Sequence, residues 1–90
     1  MFNKKKYIIP KIVSVEAMED YLLLIKFDTN EEKIYDMKEL IQSINYYEKL
    51  KDKNYFKNVK PSGDTVIWEN GEDVCPENLY YKSKKIERKK

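Results

Sequence analysis

Residues 68–80 constrain the fold of this chain more than any other stretch, because turn-forming residues stand at set places between apolar ones. Asn70-Gly71 predicts a type I′ turn, in which both central residues have positive φ. Pro76 suits the first position of a helix, where a missing N–H costs nothing, and Glu77 suits its first turn. The stretch therefore predicts a strand, a tight turn, a short hook and a helix that begins at the proline.

Upstream of this stretch, apolar residues recur at strand spacing. Residues 11–17, 21–28 and 31–35 predict three strands, and their short connections favour an antiparallel meander. Asn30 lies in the second connection, where a positive φ suits asparagine. The middle strand carries apolar residues at consecutive positions, so the pattern leaves open which face of the sheet is exposed.

Between the meander and residue 68 the pattern predicts a helix and a hairpin. Asp36 and Glu39 resemble a capping box at a helix start, and residues 46–50 predict a further helical turn. Residues 55–60 predict a strand or an extended segment, and residues 65–68 predict a strand that follows the turn at residues 61–64. The predicted fold class is α+β: an antiparallel three-strand meander, a helix, a two-strand hairpin and a C-terminal helix, in one domain over residues 7–83.

Charge is unevenly distributed along the chain. Residues 7–81 hold nine lysines against fifteen acids, a net charge of −6, whereas residues 1–6 carry +3 and residues 82–90 carry +5. We expect residues 1–6 to be a disordered basic N-terminus and residues 84–90 a basic C-terminal tail. The basic ends could bind nucleic acid or an acidic partner through electrostatic attraction. The alternative is that charged termini only keep a small domain in solution.

Composition argues against most enzyme chemistry. The chain has no histidine and one cysteine, Cys75, so the usual ligands of zinc and haem and the commonest acid–base group are missing. A lone cysteine indicates a reducing cytoplasm, and no apolar run approaches the ~20 residues that span a membrane. We expect a non-enzymatic cytoplasmic protein that has no catalytic, metal-binding or cofactor-binding residues and does not bind membranes.

Candidate chemical groups each have a structural explanation. Asp36 suits a helix cap, and Asp73 with Glu77 suits capping and dipole stabilisation of the helix at Pro76. Cys75 stands before that helix, where thiolates are stabilised, but no histidine is available to activate it. We therefore favour structural roles for all four.

Binding is the function that the sequence favours, through one of two groups of residues. Tryptophan and tyrosine are enriched in protein interfaces, and the candidates for a protein partner are Trp68, Asn70, Asp73, Glu77, Tyr80 and Tyr81. Trp68 suits core packing as well. Phosphate-neutralising side chains would serve nucleic acid instead, and these candidates are Lys82, Lys84, Lys85, Arg88, Lys89 and Lys90. The pattern also leaves a homodimer open.

The chain resembles a small bacterial family known as domain of unknown function 2442, from about Pro10 to Ser83. The most specific matching block lies at the C-terminal end: Trp68, Asn70-Gly71, Asp73, Pro76-Glu77 and Leu79-Tyr80. Further matches are Pro10, Val13, Leu23, Phe27, Tyr35-Asp36, Leu40, Leu50 and Phe56. Cys75 departs from the pattern, because a small capping residue or an acid often precedes the proline.

This resemblance implies a β-sheet packed with helices and no established catalytic residues. Members of the family are mostly small stand-alone proteins of bacteria, plasmids and mobile elements. Some are fused to a helix-turn-helix domain, and some stand beside another small protein in an arrangement similar to toxin–antitoxin pairs. The expected function is that of a binding module that regulates a macromolecular partner, like an antitoxin or an inhibitor. The alternative is an accessory protein that binds nucleic acid through its lysine-rich ends.

Overall fold

A computed structural model of the protein describes residues 9–86. In this range the elements are β1 (Ile12–Met18), β2 (Leu22–Phe27), β3 (Glu32–Asp36), α1 (Lys38–Ser43), α2 (Lys53–Phe56), β4 (Lys60–Ser62), β5 (Thr65–Ile67), α3 (Pro76–Tyr81) and β6 (Lys84–Lys85). Turns of 3₁₀ helix occupy Glu19–Tyr21 and Asn45–Lys51. The predicted disordered N-terminus, residues 1–6, lies outside the described residues.

The predicted α+β fold is confirmed. Strands β1, β2 and β3 form the antiparallel meander, α1 follows, β4 and β5 form the two-stranded hairpin, and α3 begins at Pro76. Asn30 has the expected positive φ, at 75°. These elements were predictable because each depends on local signals, namely alternation of apolar residues, a short turn or a helix-starting proline.

Within residues 9–86, one face of the meander is buried against the helices and the hairpin, and the other face is not part of this core. Leu23, Ile25 and Phe27 alternate along β2 on the buried face, and none of them is exposed to solvent. They form one core with apolar residues from the helices and the hairpin, including Ile41, Phe56, Val66, Trp68 and Leu79. The helices and the hairpin therefore pack against this one face. The question that the apolar run in the middle strand left open is settled, because Leu22 and Leu24 point away from this core.

The prediction of a strand over residues 55–60 is wrong. Asp52 caps a helix there, since its Oδ1 accepts hydrogen bonds from the backbone N–H of Asn54 at 2.9 Å and of Tyr55 at 3.5 Å. A carboxylate that satisfies two free N–H groups favours a helix start strongly enough to override the strand preference of two adjacent aromatic residues. The first hairpin strand begins only at Lys60.

Helix α1 also begins differently from the prediction. Its N-cap is Met37, one residue after Asp36, and no side chain caps it there. Asp36 instead accepts a hydrogen bond of 2.9 Å from the backbone N–H of Lys38. The side chain of Asp36 still satisfies a free N–H, but the predicted capping box with Glu39 does not form.

Strand β6 was not predicted. Lys84 and Lys85 lie within the expected C-terminal tail, yet they pair with Ile34 and Lys33 of β3 and extend the sheet to the order β1-β2-β3-β6. Two lysines carry no strand pattern of their own. Only the backbone groups that β3 leaves unpaired at its edge favour this pairing.

Candidate functional site

The residues between β5 and α3, residues 69–75, form a tight hook. The Gly71 N–H donates 2.9 Å to the Trp68 carbonyl, and the Trp68 N–H donates 3.0 Å to the Glu72 carbonyl. Gly71 has a φ of 100°, whereas Asn70 is not among the residues with positive φ. The expected type I′ turn is therefore wrong. The geometry is that of a type I turn followed by a glycine bulge, which requires a positive φ at the glycine alone.

Tyrosine hydroxyls from the preceding helical segment hold the exposed side of the hook. The Tyr46 hydroxyl donates 3.2 Å to the Asp73 carboxylate and accepts 3.3 Å from the Asp73 N–H. The Tyr47 hydroxyl donates 2.8 Å to the Asp73 carbonyl. Both the N–H and the carbonyl of Asp73 are therefore bonded to tyrosine hydroxyls, and its exposed carboxylate lies beside the Tyr46 hydroxyl, which also lies 3.3 Å from the Gly71 carbonyl.

A third tyrosine holds the inner side of the hook. The Tyr55 hydroxyl donates 2.7 Å to Oε1 of Glu72 and accepts 2.7 Å from the Asn70 N–H. Glu72 is only 6% exposed, so its carboxylate depends on such a donor. Burial, and then the hydrogen bond to Glu72, raise the pKa of the Tyr55 hydroxyl, which stays protonated at neutral pH.

The electrostatic surroundings of Tyr47 favour its neutral form as well. Burial raises the pKa of this hydroxyl to about 12, and the nearby Tyr46 and Asp73 add to the shift. A protonated Tyr47 keeps the O–H that its bond to the Asp73 carbonyl requires. The hook is thus held by neutral hydroxyl donors that bond the Glu72 and Asp73 carboxylates and the Asp73 carbonyl.

Trp68 lies in the core, as the core-packing interpretation expected. Its side chain is 2% exposed, and its Nε1 donates 2.9 Å to the Phe56 carbonyl. Its ring is stacked on that of Phe56, with 5.8 Å between the centroids and 28° between the planes. The indole therefore supports the hook from beneath, and its ring face is not accessible to a partner.

Other candidate protein contacts do lie at the surface. Asn70, Asp73 and Glu77 are exposed, and Tyr81 is 54% exposed at the end of α3. Tyr46 is also 54% exposed. The structure thus brings together Tyr46, Asn70 and Asp73 on the hook, whereas Tyr81 is placed by α3.

Tyr80 is half-buried and attaches α3 to the sheet. Its hydroxyl donates 2.7 Å to Glu31, and its ring lies under the Lys33 ammonium, with 3.7 Å from Nζ to the centroid. Lys33 also donates 2.7 Å to the Tyr80 carbonyl. The bond to Glu31, together with burial, raises the pKa of Tyr80 to about 12, while Thr29 and Tyr80 lower the pKa of Glu31. Tyr80 is therefore a structural anchor of the helix that follows the hook.

Three of the six candidate nucleic-acid residues lie within the described part of the chain, and three lie outside it. Lys82, Lys84 and Lys85 are exposed, Lys82 directly after α3 and the other two in β6. Arg88, Lys89 and Lys90 lie outside the described residues. Lys84 pairs with Ile34 and Lys85 with Lys33, so these two consecutive side chains point to opposite faces of the sheet, and Lys82 lies outside the strand.

Sequence reasoning missed the connection between the tyrosines and the hook. Tyr46 and Tyr47 precede Asp73 by more than twenty residues, and the bonding between Tyr55 and Glu72 spans a separation of 17. No local pattern predicts such pairings. The one available signal was the abundance of tyrosine, with eight in the chain.

A groove beside the β1–β2 turn is a second distinctive feature. It has a volume of about 810 Å³ and is lined by residues that include Met18, Asp20, Tyr21 and Lys53. Asp20 and Tyr21 have positive φ, 67° and 60°, and such a value is unusual for an aromatic residue. Tyr21 is held by the Met37 N–H, which donates 3.0 Å to its carbonyl, and by its edge-to-face contact with Phe56. These two contacts hold the backbone of Tyr21 in its unusual conformation, so the positive φ has a structural explanation.

The described residues contain neither a membrane-spanning helix nor a cluster of metal-binding side chains. Within residues 9–86, every helix is too short or too polar to cross a lipid bilayer. In the same range no three histidine, cysteine or acidic side chains come together in an arrangement that could hold a metal ion.

Comparison with known proteins gives one match. The model of the family described as a protein of unknown function (DUF2442) matches residues 12–85. No curated protein and no solved structure matches the chain. The matched range begins with β1 and ends with β6, so it contains the sheet, the hairpin, the hook and α3. The chain therefore belongs to the DUF2442 family of proteins of unknown function.

Proposed function

We propose that this protein is a non-enzymatic cytoplasmic binding module that regulates a basic protein partner through its hook, as an antitoxin or an inhibitor does. The observation that carries the proposal is the pair formed by Tyr46 and Asp73. The side chain of Tyr46 is 54% exposed, and its hydroxyl donates a hydrogen bond of 3.2 Å to the Asp73 carboxylate. An aromatic ring and an acid are thus presented together at the surface.

A rigid aromatic residue favours binding because little conformational freedom is lost when the partner docks. Tyrosine is enriched in protein interfaces for this reason, and an ordered carboxylate beside it gives direction to the contact. Glu77 adds a second exposed acid just after the hook. Basic side chains of a partner are the complement of this surface, and the net charge of −6 over residues 7–81 would speed their association.

Capture from the lysate of the native host tests this proposal. The bait proteins are the wild-type chain, a hook variant with Asp73→Lys and Glu77→Lys, and a control variant with Glu19→Lys and Asp28→Lys. The control makes the same charge change in the two turns of the meander. We expect a protein at near-equal stoichiometry on the wild type and the control, and its loss on the hook variant, with all three baits equally folded by circular dichroism.

Nucleic-acid binding is the second candidate, and the exposure of Lys82, Lys84 and Lys85 near the end of the described residues favours it. Each phosphate neutralised by such a side chain adds to the salt dependence of binding. A variant with Lys82→Ala and Lys85→Ala should then lose affinity for nucleic acid and show a shallower salt slope. If the captured material is nucleic acid that disappears on nuclease treatment, nucleic-acid binding replaces the proposal of a protein partner at the hook.

A further inference from the structure

The outer face of the four-stranded sheet carries apolar residues that do not belong to the core. Leu22 and Leu24 of β2 and Ile34 of β3 are half-buried, and Met18 of β1 is 38% exposed. They alternate along their strands with residues of the core face, so they point to the side opposite the described helices and hairpin. An apolar sheet face of this kind is typical of a contact surface.

Charged residues surround these apolar positions in a definite order. The register places Glu16, Leu24, Ile34 and Lys84 in one row across the four strands, with an acid at the β1 edge and a base at the β6 edge. The neighbouring row is Ser14, Lys26 and Glu32, with a base on β2 and an acid on β3. In these two rows, opposite charges stand at positions equidistant from the midline of the face, which runs between β2 and β3. The third row contains Met18, Leu22 and Asp36 and has no such pair.

We propose that a second copy of this chain covers the outer face, related to the first by a two-fold axis parallel to the strands along this midline. The rotation exchanges β1 with β6 and β2 with β3. It brings Glu16 of each copy opposite Lys84 of the other, Lys26 opposite Glu32, and Leu24 opposite Ile34. These contacts join complementary groups, and the apolar pair lies at the centre. The remaining row places Leu22 opposite Asp36, which adds no complementary contact.

The other face-to-face arrangement is disfavoured by the same residues. A two-fold axis across the strands, along the row that contains Leu24, would place Glu16 opposite Glu16, Lys84 opposite Lys84, and Glu32 opposite Asp36. Like charges at an interface oppose association, so the pattern selects the axis parallel to the strands. Packed sheets are rotated by about 30°, and at the edge strands this moves side chains by only a few ångström. Glutamate and lysine can span that displacement.

The size of the face indicates how strong the dimer is. Four strands at ~4.8 Å spacing and five residues at ~3.4 Å rise cover roughly 19 by 17 Å on each copy. This footprint is smaller than the ~800 Å² per partner of a standard stable interface. The dimer is therefore weak and reversible.

Sedimentation equilibrium of the full chain, at concentrations up to about 1 mM, tests the dimer. Glu16→Lys and Lys84→Glu each put like charges opposite each other twice, and each should weaken the dimer by at least ~5-fold. The double variant restores opposite charges and should return to within ~2-fold of the wild type. Within one copy β2 and β3 separate these two residues, so a rescue reports on the contact between copies. Glu69→Lys and Lys57→Glu make the same charge changes off this face and should leave association unchanged.

Three results would overturn the dimer: a wild-type monomer at every concentration, a dimer that Glu16→Lys does not weaken, or single variants that the double variant does not rescue. A chain that dimerises only after residues 1–8 are removed would mean that this segment occupies the face, and it would overturn the proposal too. The dimer surface shares no residue with the hook. A failed dimer test therefore leaves the capture experiment unaffected, and the reverse also holds.

Discussion

The hydroxyl of Tyr55 joins the buried carboxylate of Glu72 to the turn above it, donating 2.7 Å to Glu72 while it accepts 2.7 Å from the Asn70 N–H. A single phenolic oxygen at the base of the hook thus bonds both an acceptor, the Glu72 carboxylate, and a donor, the Asn70 N–H. The carboxylate is nearly inaccessible to water, so water cannot readily replace this hydroxyl.

Tyr55→Phe should lower the free energy of unfolding by about 1–3 kcal/mol, because Glu72 loses a donor while it remains buried. Glu72→Gln keeps an acceptor for Tyr55 and should cost less. Urea unfolding of both single variants and of the double variant gives their coupling energy. Additive effects, with no coupling between the two positions, would show that the hydroxyl does not stabilise the carboxylate.

Trp68→Phe should destabilise the protein by about 1–3 kcal/mol, because the buried Phe56 carbonyl loses the indole N–H and a smaller ring leaves a gap. Partner capture should be unchanged when the variant is folded, because the indole lies beneath the hook. The only tryptophan of the chain is also a fluorescent reporter. Native emission should shift to longer wavelength on unfolding, and a native spectrum typical of a solvated indole would contradict its burial.

The β1–β2 turn makes a prediction about backbone conformation. Asp20 has a φ of 67°, a value that asparagine tolerates and that β-branched residues resist. Asp20→Val should therefore be less stable than Asp20→Asn by about 1–2 kcal/mol. Both substitutions remove the exposed ion pair with Lys38, so that loss cancels in the comparison. Equal melting temperatures for the two variants would show that the turn does not require a positive φ.

Stability should fall at high pH through Tyr47 and Tyr80. The folded-state pKa of each hydroxyl is raised to about 12 from the ordinary 10. Their contribution is complete below pH 10, where both states are protonated, and is lost between pH 10 and about 12. Urea unfolding across this range measures the loss, and Tyr47→Phe with Tyr80→Phe should make the curve flatter. An unchanged slope in the double variant would contradict the assignment.

Local signals account for the parts of the fold that were predictable. The meander follows from alternation along the chain, and the helix at Pro76 follows from the fixed φ and missing donor of proline. The strand predicted over residues 55–60 failed because aromatic residues suggested a strand, while Asp52 favours a helix start. That capping signal was present in the sequence and was outweighed.

Long-range pairing accounts for what was not predictable. Lys84 and Lys85 form a strand only because β3 has an unpaired edge, and no apolar pattern marks them. The Tyr46 and Asp73 contact depends on how two distant segments are folded together. Candidate site residues at the hook could be named from turn chemistry, but their tyrosine partners could not.

Photocrosslinking from position 70 tests the central claim, that the hook is the surface for a protein partner. A photoreactive phenylalanine analogue replaces the exposed Asn70 of the hook in one bait and the exposed Lys53 in a matched control, so both baits keep the contact between Tyr46 and Asp73. Both baits are irradiated in lysate of the native host. We expect position 70 alone to give a covalent adduct with one protein, and Asp73→Lys in the same bait to abolish it. A nuclease-sensitive adduct, an adduct from position 53 alone, or none from either position would contradict the account.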